Sequence, residues 1–241
     1  MPNEVHGSIF DAIATPSASQ TKRDAILSAA SIVFIQHGYE GASMDLVAQA
    51  AGAARRTLYN QFPAGKEELF RSVAERMWRA FPVMDIATDE EALADPEAGL
   101  RRIGYGIAGF WAPPLAIAFL RMVISERPRF PDLTRSFFEV GKTPAMSAVR
   151  NYIAELGRRG ILKITNAELT SRQFLGLIDE SVLWGRVMGD DKQLRQAEVK
   201  DIVEQGVDIF LGYYLVVKAN ASSETSRPVA NKPKRAKRSS K

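Results

Sequence analysis

The stretch from Ser43 to Lys66, SMDLVAQAAGAARRTLYNQFPAGK, constrains this chain more than any other. Its spacing predicts two short helices joined by a tight turn. Ser43 is a good N-cap, and Asp45 sits where a helix N-terminus favours negative charge. Met44, Val47, Ala48 and Ala51 recur at helical spacing. Gly52 stands where a left-handed residue ends a helix. A second helix is expected over about residues 53–62, with Leu58 and Phe62, four apart, as its apolar face. Arg55, Arg56, Thr57, Tyr59 and Asn60 cover the rest. A short helix with one greasy side and one basic, hydroxyl- and amide-bearing side suits a DNA major groove. Arg reaches guanine edges there, while Tyr, Thr and Asn hold phosphates or bases.

These residues resemble the DNA-binding domain of TetR-family regulators. That family carries a Gly-hydrophobic-Ser-Lys-Gly-Thr-Leu-Tyr-x-x-Phe run, followed by Lys-Glu-x-Leu-Phe at the start of the next helix. Here the first run is Gly52-Ala53-Ala54-Arg55-Arg56-Thr57-Leu58-Tyr59-Asn60-Gln61-Phe62, and the second is Lys66-Glu67-Glu68-Leu69-Phe70. There are three departures. Ala54 replaces the usual Ser and removes a cap. Arg56 replaces a small residue that sits close to DNA. Pro63-Ala64-Gly65 is one residue longer than the common connector. The expected DNA-binding set is Ser43, Arg55, Arg56, Thr57, Tyr59, Asn60 and Lys66. Arg55 and Arg56 are assigned to bases and phosphates; Thr57, Tyr59 and Lys66 are assigned to phosphates. A helical hairpin in some other all-α core is the competing reading of the pattern.

The remaining periodicity is helical. A first helix is expected from near Thr21 to Gly38, with Ile26, Ala29, Ala30, Val33 and Phe34 as its apolar stripe. Lys22 and Arg23 stand at its N-terminus, the wrong end for a cation. A phosphate partner or a solvated helix start would account for them equally. Further helices are expected over about 66–81, 96–111, 115–126, 132–160 (kinked at 141–144), 165–189 and 193–218, with an acidic loop over 85–96. The fold class is therefore all-α: an N-terminal three-helix helix-turn-helix domain followed by a larger helical effector and dimerisation domain, with about nine helices in total. The expected division is a disordered segment over 1–20, the DNA-binding domain over 21–66, the ligand and dimer domain over 67–218, and a disordered basic tail over 219–241. Leu120-Arg121-Met122-Val123-Ile124-Ser125-Glu126, Pro128-Arg129-Phe130-Pro131 and Arg172-Gln173-Phe174-Leu175-Gly176-Leu177 resemble, more loosely, the C-terminal domain of the AefR-like branch of the TetR family.

Composition limits the chemistry. Cysteine is absent, so neither a disulfide framework nor thiolate catalysis is available. No apolar run reaches the roughly 18 residues that suggest a membrane span, and no secretory signal opens the chain, so a cytoplasmic location and no membrane partner are expected. The net charge is +4, from 32 Lys and Arg against 28 Asp and Glu. Seven of the bases but only Glu224 among the acids follow position 220, which leaves a body of 25 bases and 27 acids. Bulk charge thus says little about DNA binding; the placement of Arg55 and Arg56 says more. The two histidines, His6 and His37, form no cluster with zinc spacing, and no glycine loop cradles a phosphate. No catalytic residue, metal site or cofactor is expected, and the chain is not expected to be an enzyme.

Trp78, Phe81, Phe110, Trp111 and Met122 are the expected lining of a pocket for a small hydrophobic effector, with Tyr105, Phe119, Phe137 and Trp184 as further aromatic candidates. The last two helices carry apolar residues on more than one face and therefore need cover on two sides. By the family resemblance, the second cover is another copy of the chain in a homodimer. Trp184 and Phe210 are candidates for that interface. The expected function is a ligand-responsive regulator, a repressor released from a palindromic operator on double-stranded DNA. The alternative is a helical small-molecule-binding or enzymatic protein that has lost specific DNA binding.

Overall fold

Caps and breakers set the helix boundaries in this computed structural model, which describes residues 21–190 and 192–216. Helix α1 (Lys22–Gly41) starts at Thr21, whose Oγ1 accepts the Asp24 backbone N–H at 3.2 Å. Its regular turns break at Gly38, where φ is +69°. Ser43 caps α2 (Met44–Ala50) by accepting the Leu46 N–H at 3.2 Å. Gly52, with φ +60°, turns the chain into α3 (Arg55–Gln61), and Gly65, with φ +78°, turns it into α4 (Lys66–Arg79). Both glycines occupy the left-handed region that penalises a Cβ. The remaining helices are α5 (Glu90–Ala94), α6 (Pro96–Trp111), α7 (Pro114–Glu126), α8 (Pro131–Phe137), α9 (Thr143–Arg158), α10 (Ala167–Asp179), α11 (Gly185–Val187) and α12 (Gln196–Tyr214). Three of them, α6, α7 and α8, begin with Pro, which lacks the N–H that a first turn would leave unpaired.

The fold is all-α, and among the described residues there is no strand. One isolated bridge, Leu162 with Leu215, fastens the end of α12 to the turn after α9. Two π turns interrupt otherwise continuous helices: Phe138–Lys142 joins α8 to α9, and Glu180–Trp184 joins α10 to α11. Read through these turns, the described residues hold 10 helices, against about nine expected. The extra one is α5, in the acidic stretch read as a loop. Its N-cap is Asp89, whose carboxylate accepts the Glu91 and Ala92 N–H groups at 3.0 and 3.2 Å and pairs with Arg102. The acids there open a helix. Helix α12 ends at Tyr214, short of the expected 218, and the two terminal segments expected to be disordered lie outside the described residues.

A single continuous core runs from the first three helices into the rest. Helix α4 is its axis: Leu69, Phe70, Val73, Ala74, Met77 and Trp78 are all buried. Its N-terminal half packs on α1, and its C-terminal half packs on α8 and the first π turn. Behind it, α6 lies along α12, and α10 lies between α9 and α12. Arg101 joins α6 to α12 through Glu204 at 2.6 Å. Tyr152, fully buried, donates to the Ala92 carbonyl at 2.6 Å and so secures α5.

Gly141, inside the first π turn, lets the backbone lie directly on the Trp78 indole. A Cβ there would stand 1.9 Å from Trp78 Cδ1 and Cγ. Gly141→Ala is therefore expected to lower stability by at least about 1–3 kcal/mol. Gly109→Ala, at a helical position with open space around it, is expected to leave stability unchanged or raise it by up to about 1 kcal/mol. Urea unfolding of the two variants checks this; equal midpoints would refute the contact.

Candidate nucleic-acid interface and internal cavity

Helix α3 is only 7 residues long, too short to persist alone in water. Tertiary anchors hold it. Leu58 and Phe62 are completely buried beneath it. Arg23 of α1 reaches its C-terminal end: the guanidinium lies 4.3 Å above the Phe62 ring and donates to the Gln61 carbonyl at 3.1 Å and to Ser72 Oγ at 3.3 Å. A cation is favoured at a helix C-terminus. Arg23 therefore clamps the end of α3, a role that neither a phosphate partner nor a solvated helix start anticipates. Its partner is 38 residues away in the chain, so no local pattern reveals it.

The outward face of α3 presents Arg55, Arg56, Tyr59 and Asn60, all exposed, with Thr57 half-buried on its flank. Arg55 pairs with Asp45 at 2.9 Å and lies 5.7 Å from the Tyr59 ring centre. Both members of that ion pair are largely solvated, so the pair is worth about 0–1 kcal/mol, little enough to be exchanged for another acceptor. Arg56 forms no ion pair among the described residues. Ser43, across the turn, uses its oxygen as the α2 cap and keeps its O–H free to donate. Ala54 supplies no side-chain cap to α3, as its identity requires.

Lys66 does not join this face. Its ammonium donates to the carbonyls of Tyr39 at 2.7 Å, Glu40 at 3.2 Å and Ala42 at 3.0 Å, and sits 4.6 Å from the Tyr39 ring centre. An ammonium has three donors, and all three are engaged. Burial pulls its pKa below the usual lysine range, with Glu126 and Glu40 opposing. The expected phosphate contact is thus corrected: Lys66 ties the first residue of α4 to the corner between α1 and α2.

At the other end of α4 the helices enclose two adjoining chambers. The inner one, about 160 Å3, is walled by Trp78, Phe81, Trp111 and Phe137, with Leu120, Val123 and Ile124 of α7. The outer one, about 510 Å3, opens between α9 and α10 and carries Arg150, Glu168 and Arg172. Phe138, Lys142, Met146, Leu175, Asp179 and Trp184 border both. Three of the five expected effector residues, Trp78, Phe81 and Trp111, are on the wall. Phe110 and Met122 are not. Phe110 stacks on Trp78 at 4.8 Å, and Met122 is buried in the packing of α7. The Trp78 Nε1–H is buried with no hydrogen-bond partner. Burial pushes the Asp179 carboxyl up to about 6, against the opposing charge of Lys142. Of the further aromatic candidates, Phe137 and Trp184 are on the wall, and Tyr105 and Phe119 are not. Asp179 and Lys142 are wall residues absent from the expected set, because apolar spacing does not mark charged side chains. Among the described residues no group of acids or histidines is arranged to hold a metal ion, and no single helix is long and apolar enough to cross a membrane.

An exposed, basic recognition helix clamped onto a helical body with an internal apolar cavity defines a class: the helix-turn-helix transcriptional regulators. Two family descriptions match the chain. "Bacterial regulatory proteins, tetR family" matches residues 26–73, and "AefR-like transcriptional repressor, C-terminal domain" matches residues 98–216. The chain belongs to the TetR family of transcriptional regulators and has an AefR-like C-terminal domain. It is 35% identical over 79 residues to the HTH-type transcriptional regulator LmrA of Bacillus subtilis (strain 168), a match covering 33% of this chain and only 42% of LmrA. Among solved structures it resembles a protein assigned to the TetR family from Mesorhizobium loti MAFF303099, with TM-score 0.68, 25% identity, and 83% and 100% of the two chains covered. It also resembles the flavonoid-responsive regulator FrrA, with TM-score 0.64, 28% identity, and 80% and 97% covered.

Removing the Lys66 ammonium leaves three carbonyls at the α1–α2 corner without their donor. Lys66→Met is expected to destabilise the fold by about 1–3 kcal/mol, seen as an earlier transition in urea monitored by helical circular dichroism. An unchanged midpoint would return Lys66 to the pool of free surface cations.

Proposed function

We propose that this protein is a cytoplasmic, homodimeric repressor that holds a roughly palindromic operator and releases it when a small, mostly apolar effector enters the cavity. In this reading Arg55 and Arg56 contact bases and phosphates, Tyr59, Thr57 and Asn60 orient the helix on the backbone, and Ser43 donates to a phosphate at the N-terminus of α2. A bidentate Arg–guanine contact is worth about 1–3 kcal/mol of discrimination, which makes the unpaired Arg56 the main candidate for sequence selection.

The observation that carries the proposal is the reach of α4. Its first residue, Lys66, is bonded into the α1–α2 corner, and Trp78, near its last, forms the wall of the inner chamber. A ligand displacing Trp78 tilts a stiff rod whose other end carries the recognition helix. In a dimer, the two recognition helices then leave the spacing of about 34–36 Å that successive major grooves impose. The aromatic wall suits a flat, apolar effector, and the similarity to a regulator described as flavonoid-responsive supports that choice.

The second copy has a face to meet. On α12, Ile209 and Tyr213 are 60% and 80% exposed, and Met188 after α11 is 84% exposed. Phe210, by contrast, is buried against Phe174 at 5.0 Å and belongs to the protomer's own core. Trp184 belongs to the cavity border. The surface suited to a partner is the Ile209–Tyr213 stripe.

Ligand and operator must oppose each other equally. If an effector weakens operator binding by a coupling of about 1–3 kcal/mol, saturating operator must weaken effector binding by the same factor. Titration calorimetry of an effector with and without bound operator measures this; equal affinities would sink the mechanism even for a tight ligand. For the dimer, Tyr213→Glu is expected to give a monomer in sedimentation at micromolar concentration, because it places a charge without a partner in the interface. Wild-type protein that sediments as a monomer would exclude the dimer altogether.

A further inference from the structure

We infer that Lys142 and Asp179 together read an uncharged polar group on the effector, one presenting a hydrogen-bond donor and an acceptor side by side, and that they reject carboxylates and ammonium ions alike. The inference rests on the cavity being the effector site.

The two residues border both chambers, and each sits at a π turn. Lys142 closes the first turn, and Asp179 immediately precedes the second. π turns are rare and recur at functional sites. Their charges are opposite, yet the two form no ion pair with each other or with any other described residue. The Lys142 ammonium lies only against the Phe138 ring, 5.0 Å from its centre. Asp179 accepts no hydrogen bond among the described residues. The other charges in the outer chamber are grouped on one carboxylate: Glu168 accepts from Arg172 at 2.8 Å and stands 3.5 Å from Arg150. A ligand spanning the two chambers therefore meets one cation and one anion with no hydrogen-bond partner among the described residues.

The electrostatics then select the ligand. Burial already destabilises the Asp179 carboxylate, and a buried charge lacking a partner is costly. A ligand carboxylate would satisfy Lys142 but bring a second anion to Asp179. A ligand ammonium would satisfy Asp179 but repel Lys142. A neutral amide or lactam supplies an N–H to Asp179 and a carbonyl to Lys142, both charge-assisted bonds. Its ring system would lie among Trp78, Trp111 and Phe137.

Three probes sharing one ring system test this: naphthalene-2-carboxamide, 2-naphthoate and 2-naphthylmethylammonium, titrated calorimetrically into the full chain at pH 7.5. The carboxamide is expected to bind at least about tenfold more tightly than either ion, since a hydrogen bond to a charged group is worth that much. Asp179→Asn is expected to move the preference to 2-naphthoate, and Lys142→Gln to move it to the ammonium. Lowering the pH through 6 neutralises Asp179 and leaves Lys142 facing the ligand, so 2-naphthoate gains affinity in the wild type. Arg150, Arg172 and Glu168 face the same chamber, and Asp179→Asn, which retains them, is expected to abolish that gain.

Tightest binding of either ion to the wild type overturns the inference. So does an equal loss of all three probes in both variants, or no binding of any probe. Circular dichroism confirms that each variant is folded; if one is not, the other crossover and the pH arm still decide. Operator release is measured separately by gel shift. Probes that bind in the stated order yet leave operator binding intact overturn the regulatory reading, not this one.

Discussion

The burial of α4 along its whole length is the constraint on which the rest of the structure depends. A 14-residue helix with a rise of about 1.5 Å per residue is a rod of roughly 20 Å, and here nearly every turn is held. Phe70 contacts Phe34 and Tyr39 on one side and stacks on Phe119 on the other, at centroid distances of 5.6, 5.7 and 5.6 Å. Eight residues later, Trp78 contacts Phe81, Phe110, Trp111 and Phe137. Two aromatic clusters strung on one rod cannot move independently. Close packing leaves few ways to accommodate a displaced ring except by moving the helix that bears it.

A second attachment runs parallel to the first. At the end of α7, Glu126 accepts the Tyr39 N–H at 2.8 Å, just beyond the left-handed Gly38. Phe130 packs edge-on against Tyr39 at 5.1 Å, and Arg129 pairs with Glu40. The helix-turn-helix unit therefore hangs from α4 and from α7. Both helices also wall the inner chamber, α4 through Trp78 and α7 through Leu120, Val123 and Ile124. Lys66, Tyr39 and Glu126 meet at one corner, so the two suspensions converge on the same few backbone groups.

What could be read from the sequence divides by the range of the interactions involved. The helix-turn-helix unit was legible because its signals are local: the Ser43 cap, the Gly52 turn, and the four-residue spacing of Leu58 and Phe62. The AefR-like body was legible as helices because prolines and caps punctuate it. Residue roles set at long range were not. Lys66 stands in a run that suggests DNA, yet its carbonyl partners lie 24 to 27 residues away. Arg23 is likewise explained only by a helix end far along the chain. The cavity wall was misjudged at Phe110 and Met122, since apolar spacing says that a side chain is inside without saying whether it faces a void or another ring. The two π turns cost the most. Each inserts a residue into a helical turn and rotates everything downstream, so a strict 3.6-residue period does not bring Lys142 and Asp179 to the cavity. Phe210 was misplaced for a simpler reason: α12 is apolar on two sides, and only packing distinguishes them.

The chain contains 3 tryptophans, and Trp78, Trp111 and Trp184 all border the inner chamber. The helix-turn-helix unit has none. Indole emission from this protein thus originates entirely around one void. Events at α3 are spectroscopically silent except as they reach that void through α4 or α7, whereas an occupant quenches or shifts the light directly. The molecule carries its own optical separation of its two ends, and no label is needed to watch one end while the other is titrated.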